Sequence, residues 1–161
     1  MIYLDEAATT PLSREVLEAM WPYLSTEYGN PSSHHEIGDA ARRALDRARA
    51  DVAEVLGAKA SEITFTSGGT ESDNAAIKGI ALAAPRGKHV IVSSIEHPAV
   101  LESAQWLGRL GYDITVLDVD HKGIVAPETL AAALRDDTTL VSIQYANNEV
   151  GSIQPIAELA E

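Results

Sequence analysis

The sequence predicts an α/β fold with a mostly parallel sheet flanked by helices. Beyond Gly57, apolar segments with strand periodicity alternate with segments of helical periodicity, and short connections separate them. The candidate strands contain continuous apolar runs such as Val90-Ile91-Val92, which is typical of parallel strands buried on both faces. A length of 161 residues with 45% hydrophobic content suits one packed domain or part of a larger one.

Two helices are predicted before this alternation begins. Ser13 is the expected N-cap of a first helix that continues to about Leu24. Ser33 and Glu36 have the S-x-x-E spacing of a capping box, which predicts the start of a second helix. That helix is expected to end at Gly57, because glycine readily adopts the left-handed conformation that closes a helix.

Strands and helices then follow in turn. Strands are expected over residues 62–66, 88–94, 112–119 and 138–146. Helices are expected from the turn at 67–70 to about Ala84, over 98–110, over 127–135, and from about Pro155 onwards. The last of them is short and has no C-cap, so residues 1–161 are interpreted as the first part of a longer fold whose C-terminal remainder is absent.

Composition excludes several classes of protein. Twelve basic against 24 acidic side chains give a net charge of −12, which opposes binding to nucleic acid or to an anionic membrane. With no cysteine, the chain has no disulfide framework, no Cys-ligated zinc and no thiol nucleophile of its own. No apolar run approaches the roughly 18–20 residues that span a bilayer, and the N-terminus is acidic where a signal peptide is basic. A cytoplasmic protein is therefore expected.

A glycine-rich turn joins the first predicted strand to the helix that follows it. Ser67-Gly68-Gly69-Thr70 stands where the free N–H groups at the start of a helix point at a ligand. Those amides and the helix dipole favour a phosphate, although the turn is neither a P-loop nor G-x-G-x-x-G. An ordinary tight turn capped by Thr70 explains the same residues, and both interpretations stay open.

Polar side chains also follow two later strands. His97, directly before Pro98, can stack on a flat cofactor or move a proton near neutral pH. The loop 147–151 begins with Asn147 and Asn148, and a side-chain amide there can donate to a ring oxygen or a carboxylate. A surface histidine before a helix and an asparagine that serves only its turn are the simpler explanations. Because all three loops follow carboxyl ends of strands, a parallel sheet gathers them on one edge and predicts a shared cleft.

No metal site is expected. His34, His35 and Glu36 are adjacent in the chain and face different directions on a helix, and no H-E-x-x-H spacing occurs. The arginines between residues 42 and 49 alternate with aspartates, which is typical of an ion-paired, solvated helix face.

Five motifs in order resemble the N-terminal portion of the cysteine desulfurases, in the class V aminotransferase group of pyridoxal-phosphate (PLP) enzymes of fold type I. They are YLDEAATTP at 3–11, GNPSS at 29–33 with His35 and Gly38, FTSGGTESDN at 65–74, Glu96-His97, and NNEVG at 147–151. The resemblance covers essentially the whole chain. It implies that residues 1–161 are an N-terminal segment and the first part of the large PLP-binding domain of the aspartate aminotransferase-like fold.

The resemblance also implies roles for individual residues. Gly69 and Thr70 would hold the PLP phosphate, Asn148 would contact the phenolic oxygen of the ring, and His97 would stack on the pyridine and act as the catalytic proton-transfer group. The implied reaction converts L-cysteine to L-alanine and leaves the sulfur as a persulfide on an enzyme cysteine. The implied partners are L-cysteine, a sulfur acceptor or iron–sulfur scaffold protein, and a second copy or a complementing chain.

This sequence departs from the family pattern at several points. The family's Schiff-base lysine and persulfide cysteine lie downstream of the matched segment, and none of Lys59, Lys78, Lys88 and Lys122 matches that lysine motif. Glu6 stands where many members have asparagine. The chain alone is therefore expected to be inactive. Another class V enzyme such as a selenocysteine lyase, or a non-catalytic or split-subunit module that binds a partner through the same half-fold, is the alternative.

Overall fold

The computed structural model describes residues 2–83 and 86–161. The chain forms two compact units, a first unit over Met1–Phe65 and a second unit over Thr66–Glu161.

The first unit contains two long helices. Helix α1 spans Arg14–Ser25, and its predicted cap is confirmed because Ser13 Oγ accepts the N–H of Val16 at 3.3 Å. Helix α2 spans Glu36–Leu56 and ends, as predicted, at Gly57 in the left-handed conformation with φ 64°.

The predicted capping box at the start of α2 is wrong. His35 caps the helix instead, and its Nδ1 accepts the N–H of Gly38 at 3.2 Å. Ser33 belongs to the preceding turn, in which its N–H donates to the Asn30 carbonyl at 3.0 Å. Its own carbonyl lies 2.3 Å from where a Cβ of Gly38 would stand, so this close approach requires a glycine.

The strand predicted over 62–66 does not form in the described part of the chain. A short 3₁₀ helix, Ala60–Glu62, precedes a segment that is extended at Ile63 (φ −94°, ψ 125°). An extended segment becomes a strand only when a neighbouring strand pairs with it. Here the carbonyl of Ile63 accepts a hydrogen bond from the side chain of Arg49 in α2, at 3.2 Å.

The second unit has the predicted alternation of strands and helices. Its elements are α3 (Gly69–Ala83), β1 (His89–Ser93), α4 (Pro98–Arg109), β2 (Asp113–Leu117), α5 (Pro127–Ala133), β3 (Thr138–Ser142) and α6 (Ile156–Leu159). The predicted end of α3 at Ala84 lies outside the described residues. β3 is shorter than predicted, because from Gln144 onwards the chain bonds to the loop that follows β1.

The three strands form one parallel sheet in the order β2-β1-β3, which confirms the predicted fold class. The chain crosses from β1 to β2 on one side and then returns past β1 to β3 on the other. The strand order therefore reverses at β1. Ligands bind preferentially at such a switch point, outside the carboxyl ends of the strands.

Helices cover both faces of this sheet. The side chains of Val90 and Val92 face a cluster built with α3 and α4, whose buried members include Ile77, Ala81, Val100, Ala104 and Leu107. Ile91 faces the other way, into a cluster with Leu117, Val125 and Leu130 that Leu159 of α6 adjoins. All five residues of β1 are buried, as two-sided coverage requires.

Among residues 2–83 and 86–161, none of the helices combines the length and the apolar run that crossing a bilayer requires. Over the same residues, no three His, Asp or Glu side chains come together in a group that could hold a metal ion.

Candidate functional site

The start of α3 presents backbone N–H groups to open space. The amides of Gly69, Thr70 and Glu71 donate to no protein acceptor in the described part of the chain. Beyond their chain neighbours, Gly68 and Gly69 have no heavy atom within 4 Å of the position that a Cβ would take. Unpaired donors at the positive end of a 15-residue helix, with room in front of them, suit an anion such as a phosphate.

Hydrogen bonds within the turn fix these amides in place. Both the N–H and the Oγ of Ser67 donate to Oε2 of Glu71 at 2.7 Å. The bonds from the Ser67 side chain and backbone lower the pKa of Glu71, so its carboxylate is ionised at neutral pH. The hydroxyls of Thr66 and Ser72 lie 2.7 Å apart across the same turn. The turn is therefore shaped before any ligand arrives.

His97 caps helix α4 and keeps its ring exposed. Its Nδ1 accepts the N–H of Ala99 at 3.1 Å, and Pro98 occupies the first turn of the helix. Because Nδ1 is an acceptor here, the neutral imidazole carries its proton at Nε2. The Nε2 edge of this exposed residue is thus free for a ligand.

The two asparagines after β3 have different roles. Asn147 is buried, and its Oδ1 accepts the N–H groups of Glu149 and Val150 at 2.8 Å, an arrangement that holds the turn. Asn148 is exposed, and its amide makes only a 3.3 Å contact with the neighbouring Glu149 carboxylate. The turn explanation is right for Asn147, while Asn148 has an amide to offer a ligand.

A buried carboxyl group connects the loops after β1 and β3. Oε1 of Glu96 accepts from the Ser93 hydroxyl at 2.6 Å and from the Gln144 N–H at 2.7 Å. Burial raises the pKa of Glu96, and the nearby Asp73 carboxylate in α3 raises it further, while the bonds from Ser93 and Gln144 lower it.

All four predicted site residues lie at the carboxyl edge of the sheet. The carboxyl ends of α3 and α4 meet, since the Tyr112 hydroxyl donates to the Ala81 carbonyl at 2.6 Å and Lys78 Nζ stands 4.8 Å from the centre of the Trp106 ring. The two helices therefore run side by side in one direction. Their starts, at Gly69-Thr70 and at His97, share an edge with Asn148 in the loop after β3.

The sequence identified Glu96 only as part of the Glu96-His97 motif, and neither Gln144 nor the contact between the two was predicted. Ser93 and Glu96 are three residues apart, a spacing that signals a local side-chain bond. The contact to Gln144 spans 48 positions and exists only because β1 and β3 are neighbours. That adjacency is a property of the sheet order and has no local signal.

Open α/β sheets bind anionic ligands outside the carboxyl ends of their strands, and this edge carries free helix amides, an exposed histidine and an exposed side-chain amide. Residues 2–161 match the family model of the aminotransferases of class V. The chain belongs to this family.

Relatives with known names support the same assignment. The chain is 55% identical over 161 residues to "Cysteine desulfurase IscS" of Methanosarcina thermophila, covering 99% of this chain and 40% of the relative. Among solved structures, "NIFS-LIKE PROTEIN" superimposes with a TM-score of 0.94 at 42% identity, covering 99% of this chain and 44% of the other. "SspA in complex with cysteine" gives 0.91 at 41% identity, with 98% and 46% covered. The chain thus spans less than half the length of these proteins.

Proposed function

We propose that this chain is the N-terminal segment and first part of the large PLP-binding domain of a cysteine desulfurase, which converts L-cysteine to L-alanine and passes the sulfur to an enzyme cysteine. The proposal is supported most by the carboxyl edge of the sheet, along which the free amides of α3, the exposed His97 and the amide of Asn148 lie. The 55% identity to a cysteine desulfurase supports the choice of reaction.

The residues present fit the cofactor. The unpaired amides of Gly69 and Thr70, with the Thr70 hydroxyl, would hold its phosphate at the start of α3. The exposed ring of His97 would stack on the pyridine, and the Asn148 amide would donate to the phenolic oxygen. When bound, PLP supplies an electron sink for cleavage at the substrate's α- and β-carbons.

The protein's own contribution is orientation and proton transfer. Because Nδ1 of His97 accepts the N–H of Ala99, Nε2 is the ring nitrogen that would face a ligand, to which the neutral ring donates a hydrogen bond and through which any proton would move. The α3 amides neutralise phosphate charge without moving, because the Ser67–Glu71 bonds already fix the turn. The lysine that binds the cofactor and the cysteine that accepts sulfur would come from polypeptide following residue 161 or from a complementing chain.

The proposed enzyme also requires a substrate and a recipient for the sulfur. L-Cysteine is the proposed substrate, which the cysteine-bound SspA neighbour supports. A sulfur-acceptor or iron–sulfur scaffold protein is the proposed recipient of the sulfur, and a cytoplasmic homodimer is the proposed form. Native mass spectrometry of the 17.1 kDa chain with and without PLP tests the dimer directly.

The decisive experiment uses a hybrid in which this chain is followed by the part of the Methanosarcina thermophila relative beyond the matched 161 residues. The hybrid is expected to bind PLP and to release alanine from L-cysteine. The double variant Thr70→Ala/Asn148→Ala is expected to raise the apparent Kd for PLP at least about tenfold, because two hydrogen bonds to charged or polarised oxygens are lost.

Thr129→Ala is the matched control, because it also removes a threonine hydroxyl, at an exposed position on α5. It should leave the Kd unchanged. A folded hybrid that binds no PLP, or a double variant with unaltered affinity, would refute the site. If the hybrid turned over L-selenocysteine faster than L-cysteine, the enzyme would instead be a selenocysteine lyase.

A further inference from the structure

Glu96 is a buried carboxyl group placed between the loops that carry the two ring-contacting side chains. It is 7% exposed, although His97 beside it is exposed. A single oxygen, Oε1, accepts from Ser93 at the end of β1 and from the backbone of Gln144 after β3, at 2.6 and 2.7 Å. One atom therefore joins the ends of two adjacent strands.

A second set of bonds runs parallel to this one. The carbonyl of Ile95 accepts from the Gln144 side chain, and also from Asn147 Nδ2 at 3.0 Å. The other side-chain atom of Asn147, Oδ1, holds two backbone amides of the turn that contains Asn148. A continuous series of hydrogen bonds thus leads from the residues just before His97 to the turn around Asn148.

A buried carboxyl group connects the two loops at a cost in free energy. Removing it from water costs free energy that its hydrogen bonds must offset, and an apolar side chain would fill the same space without that cost. An apolar side chain, however, makes no directional hydrogen bonds. Two short hydrogen bonds to one oxygen fix both the distance and the angle between the two loops.

We propose that Glu96 is a positioning residue that sets the separation between the His97 ring and the Asn148 amide. The inference rests on the proposed function, in which these two side chains contact the same cofactor ring. Glu96 itself is not a ligand of the cofactor in this proposal. Its effect on the cofactor passes through the two loops.

A purely structural role predicts a different outcome from a positioning role. Loss of a structural group lowers the thermal midpoint and leaves the bound cofactor as it was. Loss of a positioning group changes the affinity for the cofactor and the asymmetry of its surroundings, even at temperatures where the protein is fully folded. The apparent Kd for PLP and the visible circular dichroism of bound PLP report on the second effect.

The test compares Glu96→Ala, Glu96→Gln and Tyr112→Phe in the hybrid. Glu96→Gln keeps an oxygen acceptor of the same reach, so its Kd for PLP should stay within about twofold of the parent. Glu96→Ala should raise the Kd about tenfold and alter the visible dichroism. Tyr112→Phe removes a buried 2.6 Å bond at the opposite end of α3 and α4, and should lower only the thermal midpoint.

Unchanged affinity and dichroism in folded Glu96→Ala would overturn the proposal. The same would follow if Tyr112→Phe changed them as much, because the effect would then be one of general stability.

Hydrogen exchange without PLP separates this inference from the proposed function. In Glu96→Ala, amides of residues 94–97 and of 144–150 should lose protection together, whereas Glu96→Gln should retain it. If the parent hybrid binds no PLP, the proposed function fails, and exchange alone decides whether Glu96 couples the loops. Joint loss of protection supports the coupling, and loss confined to 94–97 overturns it.

Discussion

At the residue scale, the histidine that begins the central strand owes its environment to the two neighbouring strands. His89 has no exposed surface, and its ring lies between the hydroxyls of Thr138 and Thr115, at 2.7 and 2.8 Å. The Thr138 oxygen also accepts the N–H of Arg135 at 2.9 Å. In the neutral ring one nitrogen donates to its threonine and the other accepts from the second threonine, so both hydrogen bonds form in either tautomer.

This environment predicts a pH dependence of stability. Burial lowers the pKa of His89, the Arg135 charge lowers it further, and Asp113 and Asp137 oppose that shift. As the pH falls below about 6.5, the unfolded chain binds a proton that the folded chain excludes. The stability contributed by His89 is therefore present above that pH and is lost as the pH falls through the lowered folded-state pKa.

Urea unfolding from about pH 7.5 to about pH 5.5 measures this contribution. The raised pKa of Glu96 has the opposite effect, because it favours the folded state at lower pH. The measurement therefore compares how the free energy of unfolding changes with pH in the parent and in each variant. His89→Gln should remove part of the loss of stability on acidification, whereas His121→Gln, at an exposed position, should retain all of it. If the free energy of unfolding changed equally with pH in the two variants, His89 would not be the source of the loss of stability on acidification.

At the scale of elements, the glycine that ends α2 and a glycine inside α3 have opposite effects on stability. Gly57 ends α2 at φ 64°, a conformation that side chains with a Cβ rarely adopt. Gly79 lies inside α3, on an exposed position with open space where a Cβ would stand. The first glycine is needed for the turn. The second only increases the conformational freedom of the unfolded chain.

The same substitution should therefore change stability in opposite directions at these two sites. Gly57→Ala is expected to cost about 1 kcal/mol, because alanine is strained in the left-handed region. Gly79→Ala is expected to add about 0.5–1 kcal/mol, because alanine is the better helix former. Thermal unfolding followed by circular dichroism measures both. A stabilising Gly57→Ala would mean that α2 does not end in the conformation described here.

At the scale of the whole molecule, local signals predicted most elements and missed the contacts that join them. Ser13, Gly57 and Pro127 mark element ends through their own chemistry, and each prediction was confirmed. The strand over 62–66 failed because pairing depends on a partner strand. The bond from Glu96 to Gln144 went unseen for the same reason. The shared edge was predictable for His97 and Asn148, which follow β1 and β3, since parallel strands align their carboxyl ends. That reason does not apply to the turn at 67–70, because the strand predicted before it does not form in the described part of the chain.

Burial is distributed unevenly between the two units. Both core clusters and the whole sheet belong to the second unit. Among the described residues of the first unit, Ala53 is the only buried hydrophobic side chain, while Trp21 on α1 is 62% exposed. Apolar area removed from water is the main source of stability. The second unit is therefore expected to hold most of the free energy of folding that this chain can supply.

Native-state hydrogen exchange and a pair of leucine substitutions measure this asymmetry. Amides of β1 should exchange slowest, and those of α1 should exchange much faster through local opening. Leu107→Ala, at a side chain with no exposed surface, should lower the free energy of unfolding by about 2–5 kcal/mol. Leu17→Ala, at a side chain 46% exposed on α1, should change it by about 0.5 kcal/mol or less. Equal protection of α1 and β1, with equal costs of the two substitutions, would mean that α1 is packed against apolar surface when the chain is in solution.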